Sequence, residues 1–176
     1  TNEAPVHAPS PYWGDERIWD SKSNIHNPML DQDGRVWLTA RIRGPENPGF
    51  CQQGSDHPSA QLFPKDRSSR HLAVMDPATG EYQFVDTCCS THHLQFAYDD
   101  RNTLWTSGGG DVVGWLDTTT FFETGDAEIS QMWAPTVIDT NGNGQLDEWT
   151  EPGEPQEADK DMRLRNGFYA VMPEPR

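Results

Sequence analysis

The sequence has no hydrophobic run long enough to cross a membrane, and it has few basic residues. Without about 18 consecutive apolar residues, the chain offers no membrane-spanning helix. Lys and Arg number 13 against 28 acidic residues, so the formal net charge is -15. Nucleic acids and anionic membranes repel such a surface, and we expect neither as a partner. Seven Trp and seven Phe nevertheless provide enough apolar area for a folded core rather than a disordered chain.

Cysteine is also scarce, and common catalytic motifs are missing. The three cysteines are Cys51, Cys88 and Cys89, and adjacent cysteines rarely bond to each other. We therefore expect Cys51 to pair with Cys88 or Cys89, the alternative being three reduced and buried thiols. A disulfide favours an extracytoplasmic protein, periplasmic or secreted. The first residue, Thr1 rather than Met, predicts a processed N-terminus, as after signal-peptide removal, the alternative being an expression boundary. The sequence contains no CxxC pair and no GxSxG nucleophile motif.

Two segments of the sequence repeat the same pattern. Residues 25–39 and 92–106 each run from a histidine through a short apolar strand and an Asp-rich turn to a strand that contains Trp and ends in Thr. Asp, Asn and Gly in the two turns tolerate positive φ angles and suit tight hairpins. Residues 71–85 and 112–118 supply the strands that follow. Four short meandering strands per unit predict an all-β protein, a β-propeller of four-stranded antiparallel blades.

These repeats divide the chain into blades and insertions. In chain order we predict an extended N-terminal segment (1–24), a blade (25–90) with a Pro-rich insertion (44–69), a second blade (91–166) with an acidic insertion (118–166), and the start of a third blade (167–176). Propellers have about four to eight blades, so this array is too short to close a ring. We therefore expect a fragment or subunit whose open strand edges are covered by another protein chain or by the rest of the propeller.

The blade motifs resemble those of the virginiamycin B lyases, also called streptogramin lyases. The resemblance rests on the Asp-Gln-Asp-Gly turn of residues 31–34, the strand Val36–Thr39 and the Asp-Pro-Ala-Thr-Gly turn of residues 76–80. It covers the ranges 25–43, 70–118 and 167–176. Shared blade motifs imply the propeller fold more strongly than they imply a function. In the lyases, catalysis is attributed to histidines and a carboxylate near a magnesium ion at the propeller face.

The sharpest chemical pattern is a calcium-type loop in the acidic insertion. Residues 139–147 fit D-x-[DN]-x-[DN]-G-x-x-D, in which alternate oxygen-bearing side chains converge on one ion and a glycine provides the sharp turn. Position 12 holds Thr150 in place of the usual bidentate Glu, and we expect Glu151 to replace it. The alternative is an Asx-rich turn without metal. The expected calcium ligands are Asp139, Asn141, Asn143, the carbonyl of Gln145, Asp147 and Glu151.

Three histidines occupy equivalent positions at the entry to the first strands of successive blades, namely His26 and the pair His92 and His93. First strands line the central channel of a propeller, so these imidazoles are candidates to bind a second divalent metal or to act as catalytic acid and base. Because adjacent residues of a strand face opposite sides, we expect only one of His92 and His93 to point inward. Alternatively, the histidines hydrogen-bond neighbouring blades as part of the repeat.

Two hypotheses of function follow from these patterns. The first is a non-catalytic, calcium-stabilised extracytoplasmic propeller module that acts in binding or assembly. The second is a metal-dependent lyase or oxidoreductase whose catalytic site lies at the channel mouth, near His26, His92 or His93. A transition metal, or magnesium away from Asp139, favours the enzyme, whereas calcium alone at Asp139 favours the module.

Overall fold

The first predicted blade is a four-stranded antiparallel sheet in the computed structural model, which describes residues 25–107, 110–165 and 167–174. Its strands are β1 (His26–Leu30), β2 (Val36–Ala40), β3 (His71–Met75) and β4 (Tyr82–Val85). They pair in chain order, β1-β2-β3-β4, as a simple meander. The two central strands are buried along nearly their whole length, because they combine β-branched and aromatic residues with neighbours on both sides.

The Pro-rich insertion between β2 and β3 folds against the end of this sheet. It contains a short 3-10 helix (Gly49–Cys51) and helix α1 (Pro58–Leu62). The side chain of His57 caps α1 by accepting a hydrogen bond from a backbone N–H of its first turn. At the base of the insertion, the Arg43 guanidinium forms an ion pair of 2.6 Å with Asp86, which follows β4. The base of the insertion is therefore held to this sheet, whereas His57 stacks on Trp133 and joins the helical part to residues of the second sheet.

A disulfide fastens the insertion to the same end of the sheet. Cys51 is bonded to Cys88, and Cys89 is a free, buried thiol. This bond confirms the expected pairing of Cys51 with one of the two adjacent cysteines. Both bonded residues are fully buried, in a cluster that includes Trp133. Such a buried bond is typical of proteins that fold in an oxidising, extracytoplasmic environment.

The second predicted blade repeats the four-stranded antiparallel meander. Its strands are β5 (Leu94–Phe96), β6 (Thr103–Thr106), β7 (Val112–Asp117) and β8 (Gln131–Pro135). Helices α2 (Thr118–Thr124) and α3 (Ala127–Ser130) connect β7 to β8. The two helices and β8 lie inside the range that the sequence analysis assigns to the acidic insertion, and it does not identify them. Within the described ranges, no helix has the length and apolar character needed to cross a membrane.

The remainder of the acidic insertion forms a small third sheet. Its strands are β9 (Val137–Ile138), β10 (Trp149–Thr150) and β11 (Asp161–Arg163). Strand β11 lies in the middle, antiparallel to β9 and parallel to β10. The calcium-type loop connects β9 to β10, so both ends of the loop are paired with the same central strand.

Equivalent aspartates hold the hairpin turns of the two large sheets. The Asp31 carboxylate accepts hydrogen bonds from the Arg35 backbone N–H at 2.9 Å and from the Trp37 indole at 3.0 Å. In the second sheet, the Asp99 carboxylate accepts one from the Thr103 N–H at 3.0 Å. Burial raises the pKa of Asp31, but hydrogen bonds from Arg35 and Trp37 outweigh it, so this pKa lies below its ordinary value. The aspartate that recurs in the repeat is therefore a structural residue.

One hydrophobic core joins the two large sheets. Trp37 of β2 is fully buried, and its ring makes edge contacts of 6.4 Å with Phe96 of β5 and with Phe121 of α2. Each large side chain buried here contributes about 1.5 to 3 kcal/mol. The buried core residues are Trp37, Leu72, Val74, Val85, Leu94, Leu104, Leu116 and Phe121. The all-β prediction is confirmed, but the two sheets do not close into a ring, and the propeller arrangement stays a prediction.

Removing the disulfide should destabilise the protein. We expect a Cys51→Ser, Cys88→Ser double variant to lose about 3 to 4 kcal/mol of unfolding free energy, because the bond spans 37 positions of the chain and restricts the unfolded state. Chemical denaturation without reductant measures the loss. The matched control is Cys89→Ala, which removes the free thiol and should cost about 1 kcal/mol. A double variant as stable as the native protein would contradict the structural role of the bond.

Candidate metal centre

The candidate centre lies where the first strands of the two large sheets come together. His26 begins β1, and His92 and His93 directly precede β5. The Leu94 N–H of β5 donates a hydrogen bond of 2.7 Å to the side-chain oxygen of Asn27 in β1. This hydrogen bond places the histidine-bearing ends of the two strands side by side.

Each first strand is irregular at its histidine end. In β1 the pairing with β2 shifts by one residue after His26, and Asn27 has a positive φ of 45°. Before β5, the His92 N–H donates to the Ser107 carbonyl at 2.5 Å, whereas the Ser107 N–H donates to the His93 carbonyl at 3.1 Å. Two residues therefore oppose one, which is the pattern of a β-bulge.

The bulge brings both His92 and His93 to the side occupied by His26. Both rings contact His26, because strict alternation of side chains holds in a regular strand and a bulge interrupts it. Which of the pair faces a central channel stays a prediction. The rings of His26 and His92 stack with 4.5 Å between centroids and 4° between planes. The His93 ring stands edge-on to both, 5.1 Å from His26 and 4.4 Å from His92.

The spacing of the three imidazoles suits a metal ion. One ring nitrogen of each histidine lies within 4.8 Å of those of the other two. Among the described histidines, cysteines and carboxylates, no other group of three meets this condition. Nitrogens bound to one tetrahedral ion at about 2.0–2.1 Å are separated by about 3.4 Å. The stacked rings of His26 and His92 would therefore move closer and rotate out of their parallel arrangement when an ion binds.

The surroundings of His92 favour its neutral imidazole, the form that binds metals. The pKa of His92 lies below its ordinary value. Burial is the largest cause, followed by the neighbouring His93 and His26 and then by Arg70. The Nε2 atom of His93 is buried and has no hydrogen-bond partner among the described residues. A buried polar atom left unsatisfied costs about 1–3 kcal/mol, and coordination to a metal would offset that cost.

Tyr169 lies over the cluster, and the sequence analysis does not identify it as a site residue. The centroid of its ring is 4.4 Å from that of His93 and 5.2 Å from that of His92. Its backbone carbonyl accepts a hydrogen bond of 2.6 Å from the Ser107 hydroxyl. No strand forms within the described residues 167–174, but the Tyr169 ring of this segment packs against the cluster. One sequence signal could have identified Tyr169: the segment 167–176 aligns with the histidine-bearing first strands of the two blades.

The calcium-type loop wraps its backbone around Asp139. The Asp139 carboxylate accepts hydrogen bonds from the N–H groups of Gly142, Asn143 and Gly144 at 2.6, 3.2 and 2.7 Å. Gly142 and Gly144 have φ angles of 75° and 74°, which glycine adopts without strain. A backbone that curls in this way around the first aspartate is what a calcium loop requires.

The other expected ligands of the loop are paired with one another. The amide groups of Asn141 and Asn143 donate to the Asp147 carboxylate at 2.8 and 2.6 Å, and these hydrogen bonds lower the pKa of Asp147. The side-chain oxygen of Asn143 accepts from the Gln145 N–H at 2.8 Å. This network is the arrangement of an Asx-rich turn, so calcium binding stays a prediction.

Glu151, the expected last ligand, has a different partner. Its carboxylate accepts two hydrogen bonds from the Arg163 guanidinium, at 2.5 and 3.0 Å, and one from the Trp149 indole N–H at 2.9 Å. Arg163 first, and then Trp149, lower the pKa of Glu151. The structure thus groups five of the expected ligands in one loop and engages the sixth in an ion pair beside it.

Two further histidines are structural. His71 is fully buried, its Nε2 lies 3.1 Å from the Ser68 hydroxyl, and burial together with nearby arginines lowers its pKa to about 3. It therefore stays neutral at neutral pH. His57 is buried and stacks on Trp133 with 4.7 Å between ring centroids. Neither residue joins the cluster around His26.

Replacing His26 should raise the pKa of His92 toward its ordinary value. In the His26→Ala variant a neighbouring imidazole is lost, and His92 becomes more accessible to water, so both changes favour its protonation. An NMR titration of the imidazole resonances between about pH 5 and pH 8 measures the shift. His71 is an internal control, since its pKa of about 3 keeps it neutral throughout that range. An unchanged His92 titration in the variant would contradict the coupling of the two rings.

Comparison with protein-family models, curated proteins and solved structures finds no match to this chain. The resemblance of its blade motifs to virginiamycin B lyases therefore stays a prediction. Two candidate metal sites bear on its function, a nitrogen-rich cluster between the large sheets and an oxygen-rich loop beside the small one.

Proposed function

We propose that the protein binds a divalent first-row transition metal through His26, His92 and His93 and uses it in a metal-dependent reaction. One observation carries the proposal: three imidazoles from two separate sheets converge until their ligand atoms lie within 4.8 Å of one another. Imidazole nitrogen is a preferred ligand of zinc, copper, nickel and iron. Three protein ligands also leave a coordination position for water or substrate, as in catalytic rather than structural zinc sites.

Features of the chain around the cluster support this assignment. The bulge opposite Ser107 directs the side chains of both His92 and His93 toward His26, so all three imidazoles are within reach of one ion. The lowered pKa of His92 leaves its nitrogen free of a second proton at neutral pH. A metal bound there would act as a Lewis acid toward a substrate oxygen.

Of the two predicted reaction classes, the blade-motif resemblance favours a lyase. A lyase removes a proton from its substrate while negative charge develops nearby, so it requires a base beside an electrophile. Tyr169, whose ring lies 4.4 Å from that of His93, offers a phenol for proton transfer at this place. An oxidoreductase would instead require a redox-active ion, and the identity of the native metal separates the two classes.

A second candidate function is that of a calcium-stabilised module for binding or assembly outside the cytoplasm. The two large sheets are not closed into a ring, and large apolar side chains such as Leu30, Tyr98 and Met172 are 64, 69 and 87% exposed. Another protein chain, or the rest of a propeller, would cover such surfaces. Calcium in the loop that begins at Asp139 would stiffen the acidic insertion, and the buried disulfide favours a periplasmic or secreted location.

Metal titrations of two variants test these assignments against each other. Metal-free protein without a polyhistidine tag is titrated with zinc and with calcium by calorimetry. We expect His26→Ala to weaken zinc binding by at least about tenfold and to leave calcium binding unchanged, because the nitrogen ligands hold only the former ion.

The matched control is Asp139→Asn, which alters the loop and leaves the histidines intact. We expect it to weaken calcium binding and to leave zinc binding unchanged. Zinc affinity that persists in His26→Ala would contradict the trihistidine site. Calcium binding alone, with no affinity for transition metals in the native protein, would favour the module.

A further inference from the structure

The calcium-type loop lacks a carboxylate at the end of its motif. Thr150 occupies the twelfth position, where it is buried in strand β10. Glu151 is the next acidic residue, and its Oε2 atom accepts hydrogen bonds from Nη2 and Nε of Arg163 at 2.5 and 3.0 Å. Calcium takes about six to eight oxygen ligands, so a loop without a final carboxylate is short of ligands.

Strand β11 brings a different carboxylate to the loop. Asp161 is its first residue, and the parallel pairing with β10 sets Asp161 opposite Trp149. The Asp161 N–H donates to the Glu148 carbonyl at 2.9 Å. Its Oδ2 atom accepts a hydrogen bond of 2.9 Å from the N–H of Asp147, the ninth residue of the loop motif. The carboxylate of Asp161 therefore lies directly against the end of the loop.

One of the two oxygens of the Asp161 carboxylate has no hydrogen-bond partner among the described residues. Asp161 is 1% exposed, and this oxygen, Oδ1, is buried. The nearby basic side chains are used elsewhere, since Lys160 pairs with Glu157 and Arg163 pairs with Glu151 and Asp111. Burying a carboxylate oxygen without a partner is costly, and a cation is the partner that offsets the cost most fully.

We propose that Asp161, rather than Glu151, supplies the final carboxylate of the calcium site. The proposal rests on the calcium loop described above and adds a ligand from 14 positions beyond Asp147. The ion would lie among Asp139, Asp147 and Asp161, with Asn141, Asn143 and the carbonyl of Gln145 completing the shell. As they stand, the three carboxylates are not all within 4.8 Å of one another, so the loop would close toward Asp161 on binding. Both asparagines now direct amide N–H groups at Asp147, and rotating each amide presents its oxygen to the ion.

The third aspartate also changes the expected affinity. Two aspartates and two asparagines give a site of low formal charge, whereas Asp161 adds a third negative charge from a buried position. Calcium affinity rises with the number of charged ligands and with the rigidity of the site. Because β11 pairs with both β9 and β10, the added ligand would tie the ion to all three strands of the small sheet.

Calcium titrations of two matched carboxylate-to-amide variants test the assignment. In Asp161→Asn the amide oxygen can still accept the Asp147 N–H, but the charge is lost; Glu151→Gln is the control, at a carboxylate of the same small sheet. We expect Asp161→Asn to weaken calcium binding by about tenfold or more, and Glu151→Gln to change it by less than about twofold. Isothermal titration of the whole chain with calcium gives both affinities.

Other outcomes overturn the proposal in distinguishable ways. Native affinity in Asp161→Asn with weakened affinity in Glu151→Gln would assign the ligand to Glu151 and leave the calcium loop standing. No calcium affinity in the native protein would contradict both the calcium loop and the role of Asp161 as a ligand. The histidine site would be unaffected, because zinc titration tests it separately. If Asp161→Asn fails to fold, a crystal structure of the native protein with terbium in place of calcium shows whether Asp161 coordinates the ion. Support requires an Asp161 oxygen within about 2.3–2.6 Å of the ion, and a longer distance would overturn the proposal.

Discussion

The histidine cluster depends on the contact between the two first strands, β1 and β5. One hydrogen bond joins them, from the Leu94 N–H to the Asn27 side-chain oxygen at 2.7 Å, and the His26 ring stacks on His92 beside it. The shared core behind them, around Trp37 and Leu104, holds the two sheets at the distance that this hydrogen bond requires. Because both strands are irregular at their histidine ends, the contact aligns three imidazoles that a pair of regular strands would spread over two faces.

The two candidate metal sites differ in chemistry and in their place in the fold. Nitrogen ligands lie between the large sheets, beside Tyr169, where a substrate could approach the exposed side of His26. Oxygen ligands lie in the acidic insertion, at the small sheet that carries Asp161. Transition metals prefer the first set and calcium the second, so one chain can hold both ions without competition. We propose chemistry at the first site, and at the second the stabilisation by calcium of a segment of high negative charge.

Much of the β architecture could be predicted from the sequence, because each repeated unit carries its own local signals. The Asp-rich turns, the Trp-bearing strands and the adjacent cysteines all lie within short stretches of chain, and the structure confirms the strands and the disulfide they indicated. Strand β8 could not be predicted, since helices α2 and α3 separate it from the strand that it pairs with. The contact of both His92 and His93 with His26 was also missed, because a bulge leaves no mark in the residue pattern. The sequence analysis also missed Asp161, because only the pairing of β11 with β10 brings this residue to the loop.

The most direct test of the trihistidine centre is X-ray absorption spectroscopy of the protein with one equivalent of zinc. Coordination by His26, His92 and His93 predicts a first shell that contains three nitrogens at about 2.0–2.1 Å, with the outer-shell scattering of imidazole rings. A first shell of carboxylate oxygens without imidazole scattering would place zinc in the acidic insertion and would contradict a metal site between the two large sheets.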